Sequence, residues 1–292
     1  MTVVLITGCS QGNQRHADGI GEALASSFHR AGCHVIATAR NAAKMGRLTD
    51  AGIMTMELDA TSDESVNGVA KKLKDDGIVL DILVNNAGII NNSPLVETSL
   101  DVAQKVIDTN TIGTFRVTKA FTTDMIQARK GLILNVSSVV GRMPLPFGGF
   151  YAISKSAINT MSIVLRSELE PFNIKVMVLE PGAVKSNIVN NQAGGYEPSD
   201  DSPYYPIKDL IINRLQLSQI HSTAPGRDVF ADDVVRHALQ KSPPITLITG
   251  GKAWLFKVLT HLPISWVQWL FSHRFGLKKL KNIVSNESNK ND

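Results

Sequence analysis

The chain has 292 residues, 43% of them hydrophobic, with two cysteines and a formal net charge of +4. That length holds one large α/β domain plus an appendage, and the hydrophobic fraction supplies a sizeable core. Cys9 and Cys33 give neither a disulfide framework nor zinc-ligand spacing, so a reducing compartment and no metal site are expected.

The chain starts directly on its first strand, and no cleavable signal or transit peptide is expected. Val3-Val4-Leu5-Ile6 reads as a buried strand running into Thr7-Gly8, and Gly19-Ile20-Gly21 opens a helix. A strand, a glycine turn and a helix N-terminus form an anion site, because glycine lets the backbone approach and free N–H groups face a pyrophosphate. Gly8, Gly19, Ile20 and Gly21 are its candidate contacts. Further strands are expected over Cys33–Ala39, Met54–Leu58, Asp81–Val84 and Leu132–Val136, with helices over Thr98–Arg129 and Phe150–Phe172. Alternating strands and helices up to about Leu247, without repeats, predict a single Rossmann-type doubly wound parallel sheet over residues 1–250. Ligands of such sheets bind at the carboxyl ends of the strands. Asp59, Asn85-Asn86-Ala87-Gly88 and Ser137-Ser138 all fall there.

Tyr151 and Lys155 lie four residues apart on one predicted helix and share a face. An ammonium beside a phenol favours the phenolate and draws the tyrosine pKa from about 10 toward the working pH. Tyr151 is therefore a candidate proton donor.

Thr7-Gly8…Gly19-Ile20-Gly21, Asn85-Asn86-Ala87-Gly88, Asn110, Ser138, Tyr151-x-x-x-Lys155 and Pro181-Gly182 come in one order. In this the chain resembles the classical short-chain dehydrogenase/reductase family. The resemblance implies a nicotinamide dinucleotide cofactor and hydride transfer to a carbonyl or from an alcohol. It gives Ser138 the role of hydrogen-bond donor to the substrate carbonyl, Tyr151 that of proton donor, and Lys155 that of holding the nicotinamide ribose. Asn110 would anchor a water linking Lys155 to solvent, or else kink or pack its helix. Asp59 would contact adenine, or else cap the helix after it. Asn86 would lie beside the adenosine ribose, and Lys119 matches a basic position on the cofactor side, a solvated helix face being an equal alternative. Val184 and Ser186 match the positions that touch the nicotinamide amide. The second strand ends in Ala39-Arg40 with no acid, and an arginine there accommodates a 2′-phosphate, so NADP(H) is expected. One departure is an insertion of about seven residues between Gly8 and Gly19, relative to family spacing. An outward bulge would leave the helix N-terminus free, with Arg15 or His16 adding charge near the phosphates; the alternative is that the insertion obstructs the pocket.

Residues 251–292 form a C-terminal apolar-basic helical extension that holds Trp254, Trp266 and Trp269. Residues 250–292 carry seven Lys or Arg against two acids, which leaves the rest of the chain slightly acidic. Pro263 and Lys257 argue against a simple membrane span. A basic, Trp-rich amphipathic segment lies on a membrane surface; the alternative is packing on the sheet or a partner subunit, over the substrate mouth. With Pro146–Tyr151 and Glu170–Ile174, this tail is similar to the fungal NADPH-dependent 1-acyldihydroxyacetone-phosphate reductase group. That implies a small apolar ketone substrate, reduced to a secondary alcohol, and a cytoplasmic protein peripheral on endoplasmic reticulum or lipid droplets. A ketoreductase of fungal secondary metabolism, acting on polyketide, terpenoid or steroid-like ketones, is the alternative. Intact Ser138, Tyr151 and Lys155 speak against a non-catalytic module. Family members commonly form homo-oligomers through the two long helices. No nucleic-acid partner is expected, since the basic residues accompany an apolar stripe.

Overall fold

In the computed structural model the described residues are 1–11, 19–184, 192–214 and 224–291. Seven strands, β1 (Val3–Thr7), β2 (His34–Ala39), β3 (Met54–Glu57), β4 (Ile82–Asn85), β5 (Gly131–Val136), β6 (Ile174–Pro181) and β7 (Thr246–Thr249), form one sheet. Its order is β3-β2-β1-β4-β5-β6-β7 and each pairing is parallel. The central strands β1, β4 and β5 are apolar for most of their length because both faces are covered. Alternate side chains then divide between two cores: Val4 and Ile6 of β1 join one, and Leu5 joins the other.

The helices are α1 (Ile20–Arg30), α2 (Gly46–Asp50), α3 (Asp63–Asp75), α4 (Leu100–Ile107), α5 (Gly113–Ala128), α6 (Gly149–Leu169), α7 (Lys208–Arg214) and α8 (Arg227–Ala238). Three more, α9 (Ala253–Leu259), α10 (Ile264–Arg274) and α11 (Leu277–Asn291), follow the last strand. Phe28 of α1 and Phe230 of α8 fill the first core, while Leu73 of α3 and Phe121 of α5 fill the second. The chain runs from β1 outward to β3 and returns to the far side of β1 as β4. That reversal opens a crevice at the carboxyl ends of β1 and β4.

Two predicted helices differ in detail. The span expected over Thr98–Arg129 is α4 and α5 joined by a π turn at Asp108–Ile112. The break follows from Asn110, whose buried amide leaves the helix to bond Ile89: Oδ1 accepts from the Ile89 N–H at 2.8 Å and Nδ2 donates to its carbonyl at 2.9 Å. The span expected over Phe150–Phe172 is α6 ending in a 3-10 turn at Glu170–Phe172, where Pro171 enters and Asn173 turns left-handed at φ 57°.

The C-terminal helices present two different faces. Leu259, Val267, Phe271 and Phe275 are buried against Met143, Phe147, Ile207 and Ile211 in a third apolar cluster. Trp254, Trp266 and Trp269 face outward, 70%, 68% and 64% exposed. Among the described residues no helix is long and apolar enough to cross a membrane.

Candidate active site

The turn after β1 is built around two glycines. Gly8 has φ +75°, and a Cβ on it would lie 2.8 Å from the Ala87 Cα. A Cβ on Gly21 would lie 2.5 Å from both the Gly8 carbonyl oxygen and Asn86 Nδ2. Asn86 fastens this turn to the neighbouring strand, donating from Nδ2 to the Thr7 and Gly8 carbonyls at 2.9 and 3.2 Å. Asn86 also stands in the lining of the adjoining cleft. Gly19 stands at the N-cap of α1, and among the described residues no side chain caps the helix, which leaves its first N–H groups for a ligand. The open helix end beside close-packed glycines fits a pyrophosphate.

A cleft of about 670 Å³ runs from this turn across the carboxyl edge of the sheet. Gly8, Gly19 and Ile20 line one end, with Arg40 and Asp59 beyond them. Asp59 does not cap the next helix, a task that falls to Ser62; its Oδ1 instead accepts from the Thr61 N–H and hydroxyl at 2.9 and 2.8 Å. Ser138, Tyr151, Lys155 and Val184 line the other end. Gly21 lies beneath the turn rather than in the lining. Lys119 is outside it too: Val117 and Thr118 turn α5 toward the interior, which carries Lys119 to the exposed side. Ser186, Arg15 and His16 lie outside the described residues.

Tyr151 and Lys155 enter the cleft from the first turns of α6, and the sheet fixes where they point. Lys155 Nζ donates to the Val136 carbonyl, at the end of β5, at 2.8 Å. Ser137 Oγ donates to the Lys155 carbonyl at 3.0 Å, and the Tyr151 N–H donates to Asn91 Oδ1 at 3.0 Å. Behind them Asn110 Nδ2 donates to Ser154 Oγ at 2.9 Å, whose hydroxyl donates to the Tyr151 carbonyl at 2.7 Å. Asn110 is buried behind Gly88, where an added Cβ would lie 3.3 Å from Asn110 Oδ1 and 3.6 Å from Lys155 Nζ. Asn91, Asn92, Ser154 and Arg214 were not marked by the sequence motifs, although the first two interrupt an otherwise apolar stretch.

The electrostatics reverse one expectation. Desolvation pushes the Tyr151 phenol up to about 12, against opposing pulls from a hydrogen bond with Ser138 and from the charge on Arg214. Lys155 does not draw it down here, because its ammonium is turned to the Val136 carbonyl and stands 5.7 Å from the phenol ring centroid. Burial also pulls Lys155 down to about 8. A cation and a phenol in one dry cleft are both held toward neutrality, and both respond to added charge.

This cleft and sheet define a dinucleotide-binding α/β oxidoreductase. The sequence matches the short chain dehydrogenase family over residues 2–196, and the chain belongs to that family. It is 39% identical over 213 residues to the NADPH-dependent 1-acyldihydroxyacetone phosphate reductase of Schizosaccharomyces pombe, covering 72% of this chain and 70% of that one. It is 37% identical over 296 residues to the short-chain dehydrogenase cctT of Talaromyces islandicus, covering 96% and 97%. Among solved structures, a short-chain dehydrogenase from Streptomyces avermitilis superposes with a TM-score of 0.75 at 27% identity, over 98% of this chain and 97% of that one.

The lowered pKa of Lys155 has a consequence for stability. Between about pH 8 and the unfolded lysine value near 10, the unfolded chain binds more protons at this residue, so its contribution improves as pH rises. Lys155→Met removes a buried charge that costs stability below pH 8. Thermal denaturation should show the variant more stable at pH 7, on the order of 2 kcal/mol, with the gain shrinking toward pH 10.

Proposed function

We propose that this protein is an NADP(H)-dependent reductase that converts a lipid ketone, such as 1-acyl-dihydroxyacetone phosphate, to a secondary alcohol. The observation that carries this reading is the convergence of Ser138, Tyr151 and Lys155 in a cleft whose outer wall is apolar side chains of α9 and α10, Leu255, Leu259 and Phe271 among them. When bound, the nicotinamide supplies the hydride. The chain's own residues handle the oxygen. The Ser138 hydroxyl donates a hydrogen bond to the carbonyl and stabilises the charge that develops there. Tyr151 gives that oxygen its proton. Lys155 holds the ribose, the hydrogen bond from Ser138 favours the phenolate left behind, and a water held near Asn110, on the far side of Gly88, returns a proton from solvent. Gly8, Gly19 and Ile20 hold the pyrophosphate, Asp59 borders the adenine, and Val184 the nicotinamide amide.

Preference for NADP(H) rests on Arg40, which is exposed at the cleft end that follows β2, with Lys44 also in the lining and no acid at the strand end. The name of the fission-yeast relative agrees with this cofactor and with a lipid ketone. Association with a membrane surface is supported by the three outward tryptophans together with Lys257, Lys278 and Lys279.

Tyr151→Phe should lower the rate of NADPH-dependent ketone reduction by about 10²- to 10⁴-fold while nucleotide binding, followed by fluorescence titration, stays near wild type. A variant that keeps most of its activity would remove the assignment. A panel of lipid, polyketide, terpenoid and steroid ketones identifies the substrate class in the same assay. Arg40→Asp should shift the ratio of NADPH to NADH efficiency by roughly 10- to 100-fold toward NADH, since a charged hydrogen bond becomes a repulsion. An unmoved ratio would defeat the NADP(H) reading. Replacing Trp254, Trp266 and Trp269 together by Ala should abolish co-sedimentation with anionic vesicles and spare reduction of a water-soluble ketone. Wild-type binding should weaken with salt, because each basic residue near an anionic surface contributes roughly 1 kcal/mol. Wild-type protein that ignores such vesicles at low salt would exclude the membrane.

A further inference from the structure

Arg214, the last residue of α7, reaches the cleft lining on the same side as Tyr151. Its seat is specific. Nη1 donates to Asn92 Oδ1 at 2.9 Å, and the buried Asn92 amide donates in turn to the Ile211 carbonyl at 2.6 Å, so one side chain holds both the helix and the guanidinium. On another side the guanidinium lies against bare backbone: a Cβ on Gly148 would stand 2.6 Å from Nη2 and 2.9 Å from Nη1. Phe147, the residue before, has φ 63°, a left-handed conformation that costs a bulky side chain energy. The chain therefore makes room for this arginine three residues ahead of Tyr151.

Among the described residues the arginine has no carboxylate partner, and its Nε is buried without any hydrogen bond. The other buried ionic contacts are closed: Arg142 is paired with Glu180 at 2.6 Å, and Glu22 with Arg227 at 3.3 Å. An unneutralised guanidinium in a desolvated cleft is expensive. A ligand bearing an oxyanion removes the cost, and the planar fork of arginine matches a phosphate or carboxylate through two parallel hydrogen bonds.

We propose that Arg214 is the substrate-specificity residue of this cleft and binds an anionic phosphate monoester on the ketone, close to the carbonyl that meets Tyr151. The acyl chain of the same molecule then lies along Leu255, Leu259 and Phe271. This rests on the reading of the cleft as a lipid-ketone reductase, and adds that the preferred ketone carries a phosphate on the carbonyl side. Desolvation lowers Arg214 only to about 10, so it remains a cation at neutral pH. Arg274 and Lys252 also border the cleft, but from the apolar tail, and serve as the comparison.

Two measurements test the assignment. Calorimetry on the full chain loaded with NADP⁺ uses hexyl phosphate and hexanol as probes. Arg214→Met should weaken hexyl phosphate binding by about 10- to 100-fold and leave hexanol unchanged, Arg214→Lys should fall between, and Arg274→Gln should stay near wild type. Gly148→Ala, which displaces the guanidinium without removing its charge, should weaken hexyl phosphate as well. In turnover, Arg214→Met should raise KM for a short-chain acyl-dihydroxyacetone phosphate about 10- to 100-fold more than KM for the dephosphorylated ketone, while whatever its charge contributes to kcat through Tyr151 should be lost alike on both. Hexyl phosphate bound equally well by Arg214→Met would overturn the proposal. Equal changes of KM for the two ketones would overturn it too, making the arginine a partner of Tyr151 alone. If no ketone is turned over yet hexyl phosphate binding depends on Arg214, the anion site stands and the reductase reading fails.

Discussion

One main-chain carbonyl, that of Val136 at the end of β5, fixes the geometry of the catalytic face. By accepting from Lys155 Nζ it draws a desolvated charge to the edge of the sheet. The ammonium can stay there only if α6 enters at a defined height, and each bond around it serves that height. Ser137 ties the Lys155 carbonyl to the strand end, Asn91 holds the Tyr151 N–H, and Ser154 links α6 to Asn110. Gly141 closes the arrangement, since a Cβ there would stand 2.9 Å from the Lys155 carbonyl. The reactive pair is therefore held through the backbone of α6 as well as through Lys155 Nζ, by partners packed at the strand ends.

The same economy governs the nucleotide end. Gly8 and Gly21 have no side chain, and where they meet their neighbours the contact is between backbones: Gly21 under Gly8, Gly8 over Ala87. Thr7 Oγ1 accepts from the Asn86 and Ala87 N–H groups at 3.0 Å, so β1 and β4 are joined where the sheet reverses. A helix start left without a cap would ordinarily lose stability. Here the uncapped N–H groups are the feature a phosphate needs.

The sheet was legible in the sequence because buried parallel strands are short, uniformly apolar and followed by polar residues that have no place in a core. That logic located Ser138, Tyr151, Asp59 and the glycines of the first turn in one cleft. A helix kink is one reading of Asn110, but the form of the π turn is not legible, because the groups that this amide bonds belong to Ile89, 21 positions away. For Lys119, the motif match and the solvated helix face are equal readings, and the pitch of α5 turns it to the exposed side. The rise of the Tyr151 pKa was hidden for a related reason: spacing shows that a lysine is near, while burial and the direction of its Nζ decide what it does. Arg214 was obscured because a basic residue at a helix end ordinarily complements the dipole. Only the Asn92 amide and the space over Gly148 mark it as different.

The outer wall of the cleft is one helix thick. Leu255, Leu259 and Phe271 look inward from the same short helices whose Trp254, Trp266 and Trp269 look outward, and a helix with its side chains is only about 10 Å across. A change of contact at the tryptophans therefore falls within one helix diameter of the cavity lining.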